Sequence, residues 1–246
     1  MMALGAIFAG GAKHGPLPGL MLLLTLVTGM VDAISYLALG PVFVAQMTGN
    51  VLVLGFSMAP GSQFSTARSL VAIAAFLVGA LAMGRAQARL GPHRGRQLAA
   101  AGLTEFVLVA AALAVAILHP EPAQGVPRYV EIALLAVTMG SQSAMARRLA
   151  VADFTTTVLT MTLTGLAADP MLAAPDRRRM ARRIVSALGI FLGAAIGAVA
   201  LWRWGLRVAL AAPLLLLAAV AAMAVRLAAS KAEWTGPAAG PPVPGG

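Results

Sequence analysis

The chain has 246 residues, of which 60% are hydrophobic and only 11% are charged, and its mean hydropathy is +0.88. Soluble globular proteins carry about 25% charged residues, so this composition excludes that class and indicates a membrane protein. The 18 Lys and Arg against 8 Asp and Glu give a net charge of +10; basic loops on the cytoplasmic side of a membrane account for this excess. Because cysteine is absent, disulfides, thiol catalysis and cysteine-ligated metals are excluded.

Six stretches of the chain are long and apolar enough to cross a bilayer as helices, since a crossing takes about 20 apolar residues. In chain order these predicted spans are 20–39, 70–90, 98–118, 129–146, 184–201 and 206–227. Residues 1–19 are apolar but begin without a basic stretch, which favours a leader over a signal peptide. Residues 228–246, rich in Gly and Pro, are predicted to form a disordered tail.

Two shorter stretches, 42–58 and 154–167, are each either a compressed span or a segment that enters the membrane and returns to the same side. The first is interrupted by a polar run at 47–50, and the second contains six threonines. Eight crossings would place 10 Lys and Arg on one side and 8 on the other, whereas six crossings place 14 and 4. Because basic residues accumulate in cytoplasmic loops, we predict six transmembrane helices, two re-entrant segments and both termini in the cytoplasm.

The two halves of the chain, 20–118 and 128–227, resemble each other. Three pairs of short motifs keep their order at offsets of 111, 112 and 114 residues, namely 29–33 with 140–144, 47–50 with 159–162, and 76–80 with 190–194. A duplicated unit with small insertions explains this drift, and coincidence among small apolar residues is the alternative. With three crossings per unit, the second unit would be inverted relative to the first, as in many secondary transporters.

Asp32 is the first candidate for a functional residue, because an Asp near the middle of a span costs about 2.5 to 3.5 kcal/mol on insertion scales. Thr28 and Ser35 lie four residues before it and three after it, so the three side chains share one helix face. This face is predicted to contact an ion, a proton or a polar solute. The alternative is that Asp32 serves helix packing by accepting hydrogen bonds from a neighbouring backbone.

The short segments and the second half add to this predicted site. Gly49 permits a turn that bulkier residues resist, and Asn50 offers an amide that caps exposed backbone groups. The position equivalent to Asp32 is Ser143, so the second half contributes neutral hydrogen-bonding groups. The complete predicted substrate or ion site comprises Thr28, Asp32, Ser35, Thr48, Gly49, Asn50, Gln142, Ser143, Thr160 and Thr162. For the threonines, hydrogen bonding to their own helix is the alternative.

Other chemistry is not indicated. The three histidines lack metal-binding spacing, and no nucleotide-binding or hydrolase motif occurs, so we expect no metal, no cofactor and no enzymatic activity. Basic loops without interleaved aromatic residues argue against nucleic acid as a partner. Glu105 is predicted to pair with an arginine of the preceding loop or to reach the cytoplasmic surface. Gly189, Gly193 and Gly197 form a face for close helix packing, within the chain or in a homodimer.

The runs Gly-Met-Val-Asp-Ala-Ile-Ser-Tyr-Leu at 29–37 and Phe-Val-Ala-Gln-Met-Thr-Gly-Asn at 43–50 resemble the YoaK-type family of bacterial inner-membrane proteins, a domain of unknown function. The likeness extends over about 20–227, through Arg-Arg-Leu at 147–149 and the threonine-rich stretch. Gln46 stands where Asn is expected, and Met161 replaces a glycine. The resemblance implies a multi-pass protein of the inner membrane and names no substrate.

Together these observations predict a small secondary transporter or facilitator that moves a small polar solute or ion. The alternative is a membrane scaffold that binds a partner protein and transports nothing. The scaffold predicts a packed interior without a polar cavity and stable co-purification with another protein, and the most informative observation is whether a water-accessible cavity reaches Asp32. The lipid bilayer is a partner in both cases.

Overall fold

The computed structural model describes residues 15–119, 124–149 and 177–236. In this part of the chain there are six α-helices and no strand, which agrees with the predicted all-helical class. The helices are α1 (Leu17–Ala38), α2 (Met47–Phe56), α3 (Thr66–Leu90), α4 (Arg94–Leu118), α5 (Val126–Leu149) and α6 (Arg177–Ala228), and a short 3-10 turn follows at Glu233–Thr235. Gly205 interrupts α6 with a φ of 78° and a ψ of 178°; we call residues 177–204 α6a and residues 206–228 α6b.

Four of the described helices are long and apolar enough to cross a membrane: α1, α3, α4 and the Ile184–Ala228 part of α6. That part of α6 contains the two predicted spans 184–201 and 206–227 on either side of Gly205. The predicted span 129–146 coincides with α5, which has 24 residues but falls short in hydropathy, because charged groups flank it and polar side chains interrupt it.

Local signals in the sequence place the ends of two central helices. The Ser65 hydroxyl accepts a hydrogen bond from the Arg68 N–H at the start of α3. In the same way, Nδ1 of His93 accepts from the Arg96 N–H at the start of α4, at 3.2 Å. Such caps satisfy N–H groups that have no partner inside the helix. The short α3–α4 connection joins the end of α3 to the start of α4 in the chain order that the spans predict.

Glycines allow the helix backbones to touch in two places. A Cβ on Gly29 of α1 would overlap the carbonyl oxygen of Ile190 in α6a, and a Cβ on Gly193 would overlap that of Leu26. No other residue fits where two backbones approach so closely. The glycine face of α6a therefore packs within the chain, against α1.

The same close packing joins α3 to α5. A Cβ on Gly79 would overlap the carbonyl oxygen of Val137, and one on Gly140 would overlap that of Phe76. The hydroxyl of Ser141 also donates to the Gly79 carbonyl, at 3.3 Å. Helices from the first half of the chain are thus each paired with a helix from the second half.

The contacts also fix relative directions. Gly189, Gly193 and Gly197 of α6a meet Leu22, Leu26 and Met30 of α1 in ascending order, so these two helices are parallel. In contrast, α4 and α6b are antiparallel. Gly95 at the start of α4 packs against Leu227 at the end of α6b, whereas Nε of Arg207 at the start of α6b donates to the Ala116 carbonyl at 3.1 Å.

One end of the bundle, which we call the basic end, is held together around Arg94. Its guanidinium donates to the carbonyl oxygen of Leu149 at the end of α5 and to that of Trp234 at 3.5 Å. The Trp234 ring in turn packs against Gly15, just before α1. Most of the basic side chains of the described residues lie at or near this end, in positions 85, 89, 94, 96, 147, 148, 226 and 231.

The structure differs from the predictions for both terminal segments where it describes them. The helix α1 begins at Leu17, inside the predicted leader. The predicted disorder from residue 228 is wrong as far as Gly236, because Trp234 is only 8% exposed and Thr235 is also buried. This segment has a large aromatic side chain to bury, which the Gly and Pro content of the tail obscured.

The predicted broken segment 42–58 consists of a non-helical stretch followed by the ten-residue helix α2. Ten residues span about 15 Å, half of a bilayer core. The predicted turn at Gly49 is wrong, because Gly49 lies inside α2; the backbone instead adopts a positive φ of 98° at Gly40. The other predicted broken segment, 154–167, lies outside the described residues.

Candidate functional site

Asp32 binds the backbone of the non-helical stretch before α2. Its Oδ1 accepts hydrogen bonds from the N–H groups of Val44 at 2.9 Å and Ala45 at 2.8 Å. The Asp32 side chain is 7% exposed, and Val44 is fully buried. A charged acceptor that receives two N–H groups makes stronger hydrogen bonds than a neutral one. These two hydrogen bonds are of the kind that the sequence analysis gave as the alternative role of Asp32.

Ser35 and Asn50 hold the same stretch from either side. The Ser35 hydroxyl lies 3.0 Å from the carbonyl oxygens of both Val42 and Asp32. Asn50 accepts from the Phe43 N–H at 2.9 Å, and its amide nitrogen donates to the Phe43 carbonyl. Backbone groups that leave helical pairing inside a bilayer need such partners. We call Asp32, Ser35 and Asn50 the loop anchor.

Arg68 completes this region, and the sequence analysis did not identify it. Its guanidinium packs against Gly40 and donates to the Leu39 carbonyl at 3.3 Å. This carbonyl follows the end of α1, where the last carbonyls of a helix lack intrahelical partners and attract cations. A basic residue 29 positions further along the chain gave no sequence signal for this contact.

A second group of polar residues joins the two halves of the chain. Nε2 of Gln142 in α5 donates to the Thr28 hydroxyl of α1 at 2.7 Å and lies 3.2 Å from the Leu24 carbonyl. Thr28 in turn donates to the Leu24 carbonyl at 2.9 Å. Oε1 of Gln142 is buried and has no hydrogen-bond partner in the described ranges of the chain. We call Thr28 and Gln142 the polar bridge.

The remaining predicted site residues lie elsewhere. Thr48 and Ser143 are exposed, so neither joins the loop anchor or the polar bridge. Gly49 contributes a close contact and no ligand group, since a Cβ there would lie 2.7 Å from the ring of Phe43. Thr160 and Thr162 lie outside the described residues.

Glu105 is the buried polar residue whose surroundings differ most from expectation. The predicted arginine partner or surface position is wrong, because Glu105 is fully buried and no described residue forms a hydrogen bond with either of its carboxyl oxygens. Its spacing in α4 placed it on the buried face, but the sequence did not show that no donor faces it. Among the described residues, no group of three or more His, Cys, Asp or Glu could hold a metal ion.

Comparison with known proteins matches most of this chain to one family. The family model described as "Protein of unknown function (DUF1275)" matches residues 20–223. The "UPF0700 transmembrane protein YoaK" of Bacillus subtilis (strain 168) is 36% identical over 155 residues, which is 61% of this chain. The match covers 65% of that relative's length. No solved structure matches the chain. The resemblance that the sequence analysis stated is confirmed.

Proposed function

Since this chain belongs to the DUF1275 family of membrane proteins, whose function is unknown, we propose that it is a small secondary transporter or facilitator of a small polar solute or ion. The observation that carries this proposal is the polar bridge. There, a part-buried amide donates to a hydroxyl between the two halves of the chain, and its buried oxygen has no hydrogen-bond partner among the described residues. A few convergent polar groups in an otherwise apolar interior are typical of solute sites.

The proposal includes an inverted repeat, which the helix contacts support. Under the sequence offsets of 111 and 114, the closest backbone contacts fall into two equivalent sets. The contact of Gly29 with Ile190 corresponds to the contact of Gly140 with Phe76. The contact of Gly193 with Leu26 corresponds to the contact of Gly79 with Val137. Chance similarity among small residues would not reproduce the same contacts between equivalent positions. Repeats of this kind surround the substrate site in many secondary transporters.

Helix directions support six crossings. Because α4 and α6b are antiparallel, the chain must cross the membrane an even number of times between them. The helices α5 and α6a are these two crossings. Parallel α1 and α6a require an odd number, which α3, α4 and α5 supply. With eight crossings, α4 and α6b would run in the same direction, contrary to the contacts of Gly95 and Arg207.

We further propose that the protein lies in the bacterial inner membrane with the basic end in the cytoplasm, because basic residues favour that side. Cysteine labelling tests this orientation on a chain without native cysteine. In intact cells, an impermeant thiol reagent should modify Ala59→Cys, an exposed position at the opposite end, and leave Arg96→Cys, exposed at the basic end, unmodified. The reverse labelling pattern would contradict the orientation.

Loop-anchor residues have a supporting role in this proposal. Their side chains form hydrogen bonds with the backbone of residues 42–45, and the residues concerned are Asp32, Ser35 and Asn50. They therefore hold the non-helical stretch in place beside α1, and the solute contacts fall to Thr28 and Gln142. Asp32 lies one helical turn beyond Thr28. A displacement of the anchored stretch would therefore also displace the polar bridge.

The exposed surface of the described helices bears on lipid contact and on the surface available for self-association. Large apolar side chains such as Leu77, Val107 and Phe191 are exposed on α3, α4 and α6a, and in a bilayer lipid would cover them. The glycine face of α6a is occupied by α1, so a homodimer would need another surface. We propose neither an enzymatic activity nor a nucleic acid partner.

A flux screen in proteoliposomes tests the proposed function. We expect the wild type to move at least one solute from a panel of amino acids, amines, organic acids and inorganic ions, and Thr28→Val to lose this flux. Thr104→Val is the matched control, because Thr104 makes the same hydrogen bond to its own helix, at 2.8 Å, from an exposed position. Equal flux in Thr28→Val and Thr104→Val would refute the polar bridge as the site. Absence of flux above empty liposomes, together with a protein that stably co-purifies, would favour a scaffold.

A further inference from the structure

Glu105 lies in the middle of a membrane-spanning helix, out of reach of water. It follows Arg94 by 11 residues and precedes Leu118 by 13 in α4, which is about 16 Å and 20 Å along the helix axis. The side chain is 0% exposed, and neither carboxyl oxygen has a hydrogen-bond partner within the part of the chain that the structure describes. A carboxyl group in this position can neither reach the surface nor share its charge with a donor.

Among the side chains that the structure describes, the helices packed against α4 bring no charged group to this level. Arg94 of α4 binds the carbonyl oxygen of Leu149 of α5 at the basic end. Because the two helices are antiparallel, a distance of 11 residues from this contact reaches Glu105 on α4 and about Thr138 on α5. Glu131, the buried acid of α5, lies about two helical turns further from the basic end. The other charged residues of these elements with described side chains lie towards helix ends or beyond them, and are Arg68, Arg85 and Arg89 on α3, Arg128, Arg147 and Arg148 on α5, Arg203, Arg207 and Arg226 on α6, and Glu233.

Asp32 and Glu105 therefore differ in chemistry although both are buried acids. Asp32 receives two backbone N–H groups, which stabilise a carboxylate. Glu105 receives none, and an ionised carboxylate without a partner is so costly in an apolar interior that such a group takes up a proton instead. The packed arrangement of α4 with α5 and α6b is thus suited to a neutral carboxylic acid at Glu105.

We propose that Glu105 is the proton-carrying group that couples solute movement to a proton gradient, an inference that rests on the proposed transport function. In the packed arrangement the Glu105 carboxyl holds the proton. When α4 and α6b separate and water enters, the carboxyl O–H bond breaks and the proton passes to a water molecule, which leaves a solvated carboxylate. The carboxylate takes its next proton from water on the opposite side of the membrane before the helices repack, so one proton crosses the membrane per cycle.

Two features connect Glu105 to the polar bridge. Thr138 of α5, at about the level of Glu105, is fully buried and lies one helical turn before Gln142 on the same side of the helix. Gln142 in turn donates to Thr28. On the other side, a Cβ on Gly102, one turn before Glu105, would lie 3.4 Å from Ala221, so α4 and α6b are in contact beside Glu105. A movement of α5 or α6b that admits solute would also change the surroundings of Glu105.

The first test asks whether Glu105 is a protonated acid. Dicyclohexylcarbodiimide, an apolar reagent that modifies protonated carboxyl groups, is applied to the full-length protein in liposomes, and modified peptides are identified by mass spectrometry. We expect modification of Glu105 that decreases as pH rises, loss of this adduct in Glu105→Gln, and the same adduct in Asp32→Asn. A folded wild type without a Glu105 adduct at any pH would overturn the proposal.

The second test asks whether the proton is coupled to solute. Liposomes loaded with the pH-sensitive dye pyranine report proton movement while solutes from the flux panel are added outside. We expect the wild type to move protons with the solute, and Glu105→Gln to lose proton movement but keep exchange of labelled for unlabelled solute. Solute flux without proton movement in the wild type would refute coupling and leave the transport function standing. Absence of flux for every solute would refute the transport function and coupling with it, and the carbodiimide result would still decide whether Glu105 is neutral.

Discussion

Substitutions of Asp32 distinguish an anchoring role of its carboxylate from direct contact of that carboxylate with a solute. Asp32→Ala removes the acceptor of the Val44 and Ala45 N–H groups. A buried donor without a partner costs about 1 to 3 kcal/mol. Val44 is fully buried and Ala45 only partly so, and we therefore expect a loss of about 2 to 4 kcal/mol in the free energy of unfolding. Asp32→Asn keeps an amide oxygen in the same place, so its loss should be about 1 kcal/mol.

Unfolding of the purified variants in mixed micelles with increasing SDS measures these differences, and the flux assay measures function on the same samples. If Asp32 anchors the stretch before α2, Asp32→Asn should transport and be nearly as stable as the wild type, while Asp32→Ala should be clearly less stable. An Asp32→Ala variant as stable as the wild type would refute the anchoring role. A stable Asp32→Asn variant without flux would instead show that the carboxylate contacts the solute.

Two further predictions concern packing. Gly49→Val should lower the melting temperature, because its side chain would collide with the ring of Phe43, whereas Gly55→Val, which has open space, should have no effect or raise it slightly, since Val is the better helix former; equal melting temperatures for the two would contradict the packing. Trp234→Ala should cost about 3 kcal/mol, as for other large aromatic side chains, and should make the segment after α6b sensitive to limited proteolysis. A variant with unchanged stability and protease resistance would show that this segment does not hold the basic end together.

Sequence patterns sufficed for the helices and for part of the site. Apolar stretches of about 20 residues located α1, α3, α4 and both parts of α6, since burial in lipid leaves a long and simple signal. The spacing of Thr28, Asp32 and Ser35 placed them correctly on one helix face. The function of that face could not be predicted from the sequence, because a side chain that binds a solute and one that binds a nearby backbone have the same spacing along a helix.

Long-range contacts decided the rest. Whether Asp32 meets a solute or the N–H groups of Val44 depends on where the chain returns after Gly40, and this follows from the packing of the whole segment. The burial of Trp234 depends on Gly15 and Arg94, which lie far from it in the chain.

By itself, then, the sequence determined that the chain is a helical membrane protein, which stretches are apolar, and that its halves share motifs, because these properties depend on composition and local spacing. Only the tertiary structure decided which helices touch, in which direction they run, and that among the described residues Glu105 has no donor while Asp32 has two. Partners of a buried polar group come from other helices, and the sequence of one helix carries no record of what faces it.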